Sequence, residues 1–429
     1  MARPSVIACF ASLIASAMAL APRAAHANGA FPESFQLLLP ADRPREIALA
    51  TNFGLIISDD DGATWSWTCE QPQTANGTLY AVGPSPLDRY FSVSPIVGLA
   101  HSDDASCSWT LAKGTLDGLL TTDFFPDPSN ADRVYAIAQD ANGVMTPKVY
   151  PSDDAGATFG APLYDGTTAD VLMGVESARG DPKTIYVAAF TVPGIHPKLL
   201  RTRDGGATWT TLDLEPQLGP NNFRLIAVDP EDANTVTLRV IQQNGEAVAI
   251  SHDGGETFAK PIFLEGGVLT SYAKLASGTQ LVAGFVLDKA RGFRSTDGGK
   301  TFSDWQIPHL RAMAVRGSKL YAAAKNYSDD WAVGVSTDEG LTFTPLTRYD
   351  QVKSIRACVQ ATCQDACLML VSRQVWTQSV CDGSPPPPPA SSGGCGCGVT
   401  GPAGGAISAL ALAALAGVAA TARRRRQRR

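Results

Sequence analysis

The chain has 429 residues, of which 35 are Lys or Arg, 41 are Asp or Glu, and 44% are hydrophobic. Two of the basic residues (Arg3 and Arg23) fall in the first 27 positions and six in the last seven, which leaves 27 basic against 41 acidic residues between them, a net charge of −14. A body that acidic repels phosphate backbones, which argues against a nucleic-acid partner, and its length suits one large all-β domain or two ordinary ones.

In chain order, the first element is a secretory signal over residues 1–27. Arg3 precedes an apolar run from Val6 to Leu20, and Ala25-His26-Ala27 is a small-x-small cleavage pattern. The mature chain is expected to begin near Asn28.

The next 350 or so residues carry one motif seven times, in the form Ser/Thr-x-Asp-x-Gly-x-Thr-Trp/Phe. It reads SDDDGATW from Ser58, SDDASCSW from Ser102, SDDAGATF from Ser152, TRDGGATW from Thr202, SHDGGETF from Ser251, STDGGKTF from Ser295 and STDEGLTF from Ser336. The second copy departs from the pattern, with Ser106 for Gly and Ser108 for Thr. Successive copies start 41 to 50 residues apart, and the sequence between them divides into short β-rich runs. The fifth unit shows FRLIAV (223–228), TVTLRVI (235–241), EAVAIS (246–251) and TFAKPIF (257–263), four strands separated by turn residues. Asp-Pro pairs at 127–128, 181–182 and 229–230 mark the turn after the first strand in three units. Four-stranded repeats of this length predict an all-β fold, a radial β-propeller whose closure protects the sheet edges.

The motif resembles the Asp-box, or BNR, repeat of the sialidase and sortilin superfamily. That resemblance implies a box closing the hairpin between the third and fourth strands of each blade. Asp60, Asp104, Asp154, Asp204, Asp253, Asp297 and Asp338 then accept turn N–H groups, the Gly supplies a positive φ, and the aromatic starts the outer strand. The acids are expected to be structural: a motif repeated around a ring is explained by a recurring hairpin, and no metal is implied.

After the last box, SIRACV (354–359), CLMLV (367–371) and VWTQS (375–379) read as three further strands. They suggest an eighth blade completed by residues 28–35, or else a disulfide cap on seven blades. The exported body holds six cysteines, Cys69, Cys107, Cys358, Cys363, Cys367 and Cys381, and an even number in an oxidising compartment predicts disulfides. Cys69 is expected to pair with Cys107, and the other four among themselves.

Residues 384–394 (SPPPPPASSGG) form an extended spacer. Cys395 and Cys397 follow, then an apolar Ala-rich helix ending at Ala422 and a terminal Arg cluster that favours the cytoplasmic side. This order resembles the MYXO-CTERM sorting tag of myxobacteria, which implies processing by a membrane protease and attachment through Cys395 or Cys397. The expected organisation is a signal peptide over 1–27, a propeller over 28–383, the spacer over 384–394 and the tag over 395–429, with a short transmembrane helix, at the cell envelope.

For a site, strand alternation places the box turns on one face and the starts of the inner strands beside the channel on the other. Those starts align as Gln36, Tyr80, Asp123, Asp170, Arg224, Tyr272, Arg311 and Arg356, with Glu215 and Glu265 in the outer-to-inner connections. Arg224, Arg311 and Arg356 are the candidate binding residues, since bidentate guanidinium suits a carboxylate. The comparison with sialidases makes Tyr272 and Glu265 a nucleophile pair and Asp170 an acid. The sialidase Phe/Tyr-Arg-Ile-Pro motif is missing, however, and Ala41-Asp42-Arg43-Pro44-Arg45-Glu46 stands there instead. Other Asp-box relatives, the photosystem II assembly propeller and sortilin-type receptors, bind proteins or peptides, while xyloglucan-active glycosidases use two propellers. No phosphate loop, dinucleotide fingerprint, nucleophile elbow or His metal pair occurs, so no cofactor is implied. The expected protein is a monomeric binding or structural module taking a protein, peptide or glycan at the cell surface; the alternative is a sialidase-type glycoside hydrolase.

Overall fold

A computed structural model describes residues 31–70, 79–87, 89–94, 97–140 and 146–382. It is a β-propeller of seven blades, each a four-stranded antiparallel sheet whose strands follow one another in the chain. The fifth blade is typical: Asn222–Val228, Val236–Gln242, Gly245–Ser251 and Ala259–Glu265 pair in that order. The first strands are innermost: Ser34–Leu38, Leu79–Val82, Leu119–Pro126, Asp170–Ala178, Asn222–Val228, Gly267–Lys274 and Leu310–Arg316. The second strands read as continuous apolar runs because they are covered on both faces by neighbouring blades; every residue of Ile47–Thr51 and of Tyr90–Ser94 is buried.

Each motif lies between the third and fourth strands of its blade. Its Ser or Thr hydroxyl donates to the Asp carboxylate and accepts the N–H four residues on, as in Ser58 Oγ to Asp60 (2.8 Å) and Gly62 N to Ser58 Oγ (2.8 Å). The Asp accepts the N–H and hydroxyl of the Thr at the end of the turn, at 2.8 and 2.6 Å for Thr64 on Asp60. The second copy keeps the scheme with Ser108 in place of Thr. Two successive residues take positive φ, Asp61 (62°) and Gly62 (92°) in the first box, and in the second box Ser106 takes 73° without being glycine. The turns contact the connection between the first two strands of their own blade, through Asp61 N to Arg45 O, Ala155 N to Asp132 O and Gly254 N to Asn234 O. Boxes and first-to-second connections therefore share a face.

Among the described residues no eighth blade forms. Of the three strands expected after the last box, only Ser354–Ile355 is extended, and it adds in parallel to the outer edge of blade 1, opposite Ser66 and Trp67. Gln360–Ser372 is a helix and Ser379–Asp382 a short one. The apolar residues of 360–372 do not alternate, and Cys363 and Cys367 lie one turn apart on a buried helical face. Of the expected stretch 28–35 only 31–35 is described, and it does not complete another sheet: Ser34–Leu38 is the inner strand of blade 1, packed against the inner strand of blade 7.

All six body cysteines are bonded, but in other pairs than expected. Cys69 joins Cys363, Cys107 joins Cys358, and Cys367 joins Cys381. The Cys69–Cys107 pairing is thus corrected: the C-terminal segment runs across blades 1 and 2 and takes both cysteines. These bridges span 294 and 251 residues, so they hold the segment after the last box to blades 1 and 2. Arg311 pairs with Glu33 (2.8 Å), Arg316 caps Pro44 O (2.7 Å) and Glu46 O, and Tyr321 donates to Asp61 (3.2 Å) across the same seam. No helix among the described residues is long and apolar enough to cross a membrane. The expected signal over 1–27, spacer over 384–394 and sorting tag over 395–429, including Cys395 and Cys397, lie outside the described residues.

Candidate functional site

The inner strands are sheet edges whose channel-facing N–H and C=O groups have no fifth strand to pair with. Side chains of adjacent blades supply part of what is missing. Gln36 pairs both ways with the backbone of Tyr80 (2.8 and 2.9 Å), Asp123 accepts Val175 N (3.0 Å), Glu176 accepts Val228 N (2.8 Å), Glu246 accepts Leu269 N (2.6 Å) and Thr270 donates to Leu310 O (2.8 Å). Six of the seven inner strands carry a bulge, which re-aims these residues at the next blade.

A cavity of about 1090 Å³ occupies this channel beside blades 1 to 5. Its wall includes Gln36, Tyr80, Asp123, Glu176 and Arg224, and its mouth is formed by Leu39, Ala41, Ser85, Pro128 and Arg179. The mouth residues all follow an inner strand, so the cavity opens on the face that carries the boxes. The cavity thus opens on the other face from the one where the sequence places the expected site. A second cavity of about 350 Å³, beside blades 1, 5, 6 and 7, contains Arg239, Thr270 and Tyr272 and shares Gln36 and Arg224 with the first.

Electrostatics separate this wall from the boxes. In the boxes, the Thr hydroxyl and N–H hold Asp60, Asp204 and Asp338 down to about 2. In the channel, burial pushes Asp123 up to about 7 against the pull of Val175 N–H and Arg224, and pushes Glu176 up to about 7, with Asp123 adding to the rise. Although Arg224 is exposed to the cavity, partial desolvation by the wall pulls its guanidinium below the ordinary value, with Asp123 opposing, and it stays charged. Its Nη1 donates to Met173 O at 2.9 Å.

The three arginines do not converge. Arg224 faces the cavity, Arg311 is tied to Glu33 at the seam between blades 7 and 1, and Arg356 is off the inner strands altogether. Arg356 instead grips Asp59 of the first box at 3.1 Å, because the segment carrying it latches blade 1. Tyr272 and Glu265 are not brought together either. Glu265 ends an outer strand opposite Gly245, far from the boxes, whereas Tyr272 lies five residues into Gly267–Lys274 on the way back, roughly 16 Å along the strand. Burial pushes the Tyr272 hydroxyl up to about 12. For Asp170, burial raises the carboxyl but bonds from Lys198 and Thr167 outweigh it and leave it below its ordinary value, so it is held ionised. Glu215 pairs with His196 at 2.6 Å on the surface. Reasoning from strand starts missed Glu176, Arg179 and Arg239. Alternation along VLMGVESA would have offered Glu176, but the bulge at Leu172/Gly174 makes counting from the strand start unreliable. No group of metal-binding side chains occurs among the described residues.

No family model and no curated protein matches the sequence. Solved structures similar to it include a puromycin-hydrolyzing peptidase of Mycobacterium tuberculosis (12% identity, 77% of this chain and 55% of that one, TM-score 0.54). The GH74 enzyme of Niastella koreensis (16%, 73% and 65%, TM-score 0.42) and the β-propeller domain of the trilobed protease from Pyrococcus furiosus (8%, 75% and 99%, TM-score 0.49) are others. The chain spans less than two thirds of the Niastella enzyme and of the peptidase. At such identities the likeness is one of fold.

Proposed function

We propose that the protein is an Asp-box propeller displayed at the cell envelope, where it binds a peptide or glycan in the box-side half of its channel. The cavity of about 1090 Å³ carries this reading: it is large enough for a short chain segment, and its wall mixes Leu225, Ile226 and prolines with a few polar groups. Three disulfides suit an exported protein, and display follows from the signal over 1–27 and attachment through Cys395 or Cys397. Peptide and glycan arrays probed with the full-length protein test it. The expected result is capture that Arg224→Ala abolishes while the melting temperature stays put. Capture that survives Arg224→Ala and a bulky Ser85→Trp at the mouth would move binding elsewhere. Intact mass of the native protein should show loss of 1–27 and a processed end near Cys395; a full-length cytoplasmic species would defeat the envelope assignment.

A glycoside hydrolase is the second reading, favoured by one observation: Asp123 and Glu176 present two carboxyls to a single cavity. Turnover of fluorogenic glycosides that is lost in Glu176→Gln would promote it, whereas turnover lost in Tyr272→Phe would favour sialidase-type chemistry.

A further inference from the structure

Arg224, like Arg179 at the cavity mouth, has no carboxylate hydrogen-bonded to it among the described residues, whereas Arg239 and Arg311 do. Arg239 is bound by Glu246 through two nitrogens, and Arg311 by Glu33 at 2.8 Å. Arg224 makes one hydrogen bond, to the neutral carbonyl of Met173, and lies exposed where the two cavities meet. Two carboxyls line the same wall, Asp123 from blade 3 and Glu176 from blade 4, yet neither forms an ion pair with it among the described residues; each spends one oxygen on a backbone N–H of the next blade. We infer that this wall takes an oxyanion group of the ligand, carboxylate or phosphate, with Arg224 supplying the charge and Asp123 and Glu176 binding a proton along with it.

The charges around the pair give the direction. Asp123 faces Arg224 of blade 5 and Glu176 of blade 4, and Tyr80 of blade 2 lines the same cavity. Glu176 faces Asp123, with Arg179 three residues further on at the mouth. Both carboxyls sit near 7, so close to neutrality one proton is readily added. An arriving anion disfavours their ionised forms and favours uptake, and the protonated carboxyl can then donate to the anion as Arg224 does. The body as a whole, at −14, would turn away a polyanion, so the site suits a single charged group rather than a charged polymer.

This inference rests on the cavity being the binding site, and its test separates the two. Calorimetric titration of the full-length protein with glucuronate and, in parallel, with glucose 6-phosphate, in two buffers of different ionisation enthalpy, counts protons directly. Near pH 7.5, uptake approaching one proton per oxyanion is expected, with affinity falling up to tenfold per pH unit above it. Arg224→Ala should lose binding. The Asp123→Asn, Glu176→Gln double variant should still bind, with no proton uptake and a flat pH profile. The two probes distinguish carboxylate from phosphate. Arg224-dependent binding without proton uptake, or affinity that rises with pH, would overturn the inference, as would no binding of either probe. A neutral glycan or peptide bound in the cavity while both anions fail would defeat the inference and leave the proposed function standing.

Discussion

The box turns and the channel wall are built from the same acidic residue types, and the fold treats them in opposite ways. Asp253 in its box accepts the Ser251 hydroxyl, Thr257 N–H and Thr257 hydroxyl at 2.5 to 2.9 Å, on a solvated rim. Asp123 in the channel is partly exposed, has backbone N–H donors and a nearby but unbonded Arg224, and desolvation pushes it up to about 7. The first arrangement recurs in every blade, and the second is confined to Asp123 and Glu176 on blades 3 and 4 among the described residues. Recurrence at seven places fits a structural requirement common to all blades, while a pair of destabilised carboxyls on two adjacent blades fits a local task, as strained or unfavourable groups cluster where function needs them.

The largest expected effect comes from breaking a box. Ser251 is buried and its hydroxyl accepts Gly255 N–H at 2.8 Å, so Ser251→Ala leaves that buried N–H unpaired. A loss of about 2 kcal/mol is expected in urea melts, with Asp253→Ala costing about 1 kcal/mol or more. Ligand capture per folded molecule should be unchanged; a selective loss of binding would end the structural reading of the boxes.

The channel pair should respond with the opposite sign. The folded-state values of Asp123 and Glu176, near 7, lie above their ordinary values of 3.8 and 4.5, so the native state holds protons that the unfolded chain has released. Their contribution to stability is therefore present below about pH 4, declines as pH rises to about 7 and is flat beyond. Asp123→Asn and Glu176→Gln remove this penalty. Discounted for their partial exposure, a gain of about 1 kcal/mol each is expected at pH 8 and none near pH 4. Thermal melts at the two pH values check it; equal stability at pH 8 would erase the contrast with the boxes. The box acids carry the normal sign: depressed to about 2 in Asp60 and Asp338, they lend stability above about pH 4 that is lost as pH falls through 2.

The smallest effect sharpens the comparison inside the boxes themselves. Ser106 takes φ 73° where six other copies have glycine, and its buried hydroxyl has no hydrogen-bond partner among the described residues. Ser106→Gly is expected to stabilise by about 1 kcal/mol, measured with the Cys107–Cys358 bridge intact. A destabilised variant would mean that the irregular second box is adapted to the C-terminal segment bonded to it.

The boxes were legible because their Ser or Thr and Asp side chains make their hydrogen bonds within eight residues, so the chemistry of Ser, Asp, Gly and Thr at fixed spacing specifies most of the turn. The four strands of the fifth blade were legible for a related reason: alternation and turn residues are local, and the observed bounds differ from the expected ones by two residues at most. Seven inner-strand residues, from Gln36 to Arg311, were correctly assigned to inner strands, while Arg356 was carried off by the latch. The Cys-rich end failed as a β unit because short apolar runs suit helix and strand alike, and only contact with blade 1 decides between them.

What the sequence determined alone is therefore the repeat: seven turns, the strands between them and the aromatic that follows each one, all set by interactions among near neighbours in the chain. Tertiary structure decided the rest. Disulfide partners depend on which blades the C-terminal segment crosses, and that follows only from closure of the ring at seven. Bulges in the inner strands choose which side chain meets the next blade, and the ring then brings Asp123, Glu176 and Arg224 to one cavity with no hydrogen-bonded ion pair among them. Charge in a channel is settled by burial and by distant neighbours, neither of which has a fixed spacing in the sequence.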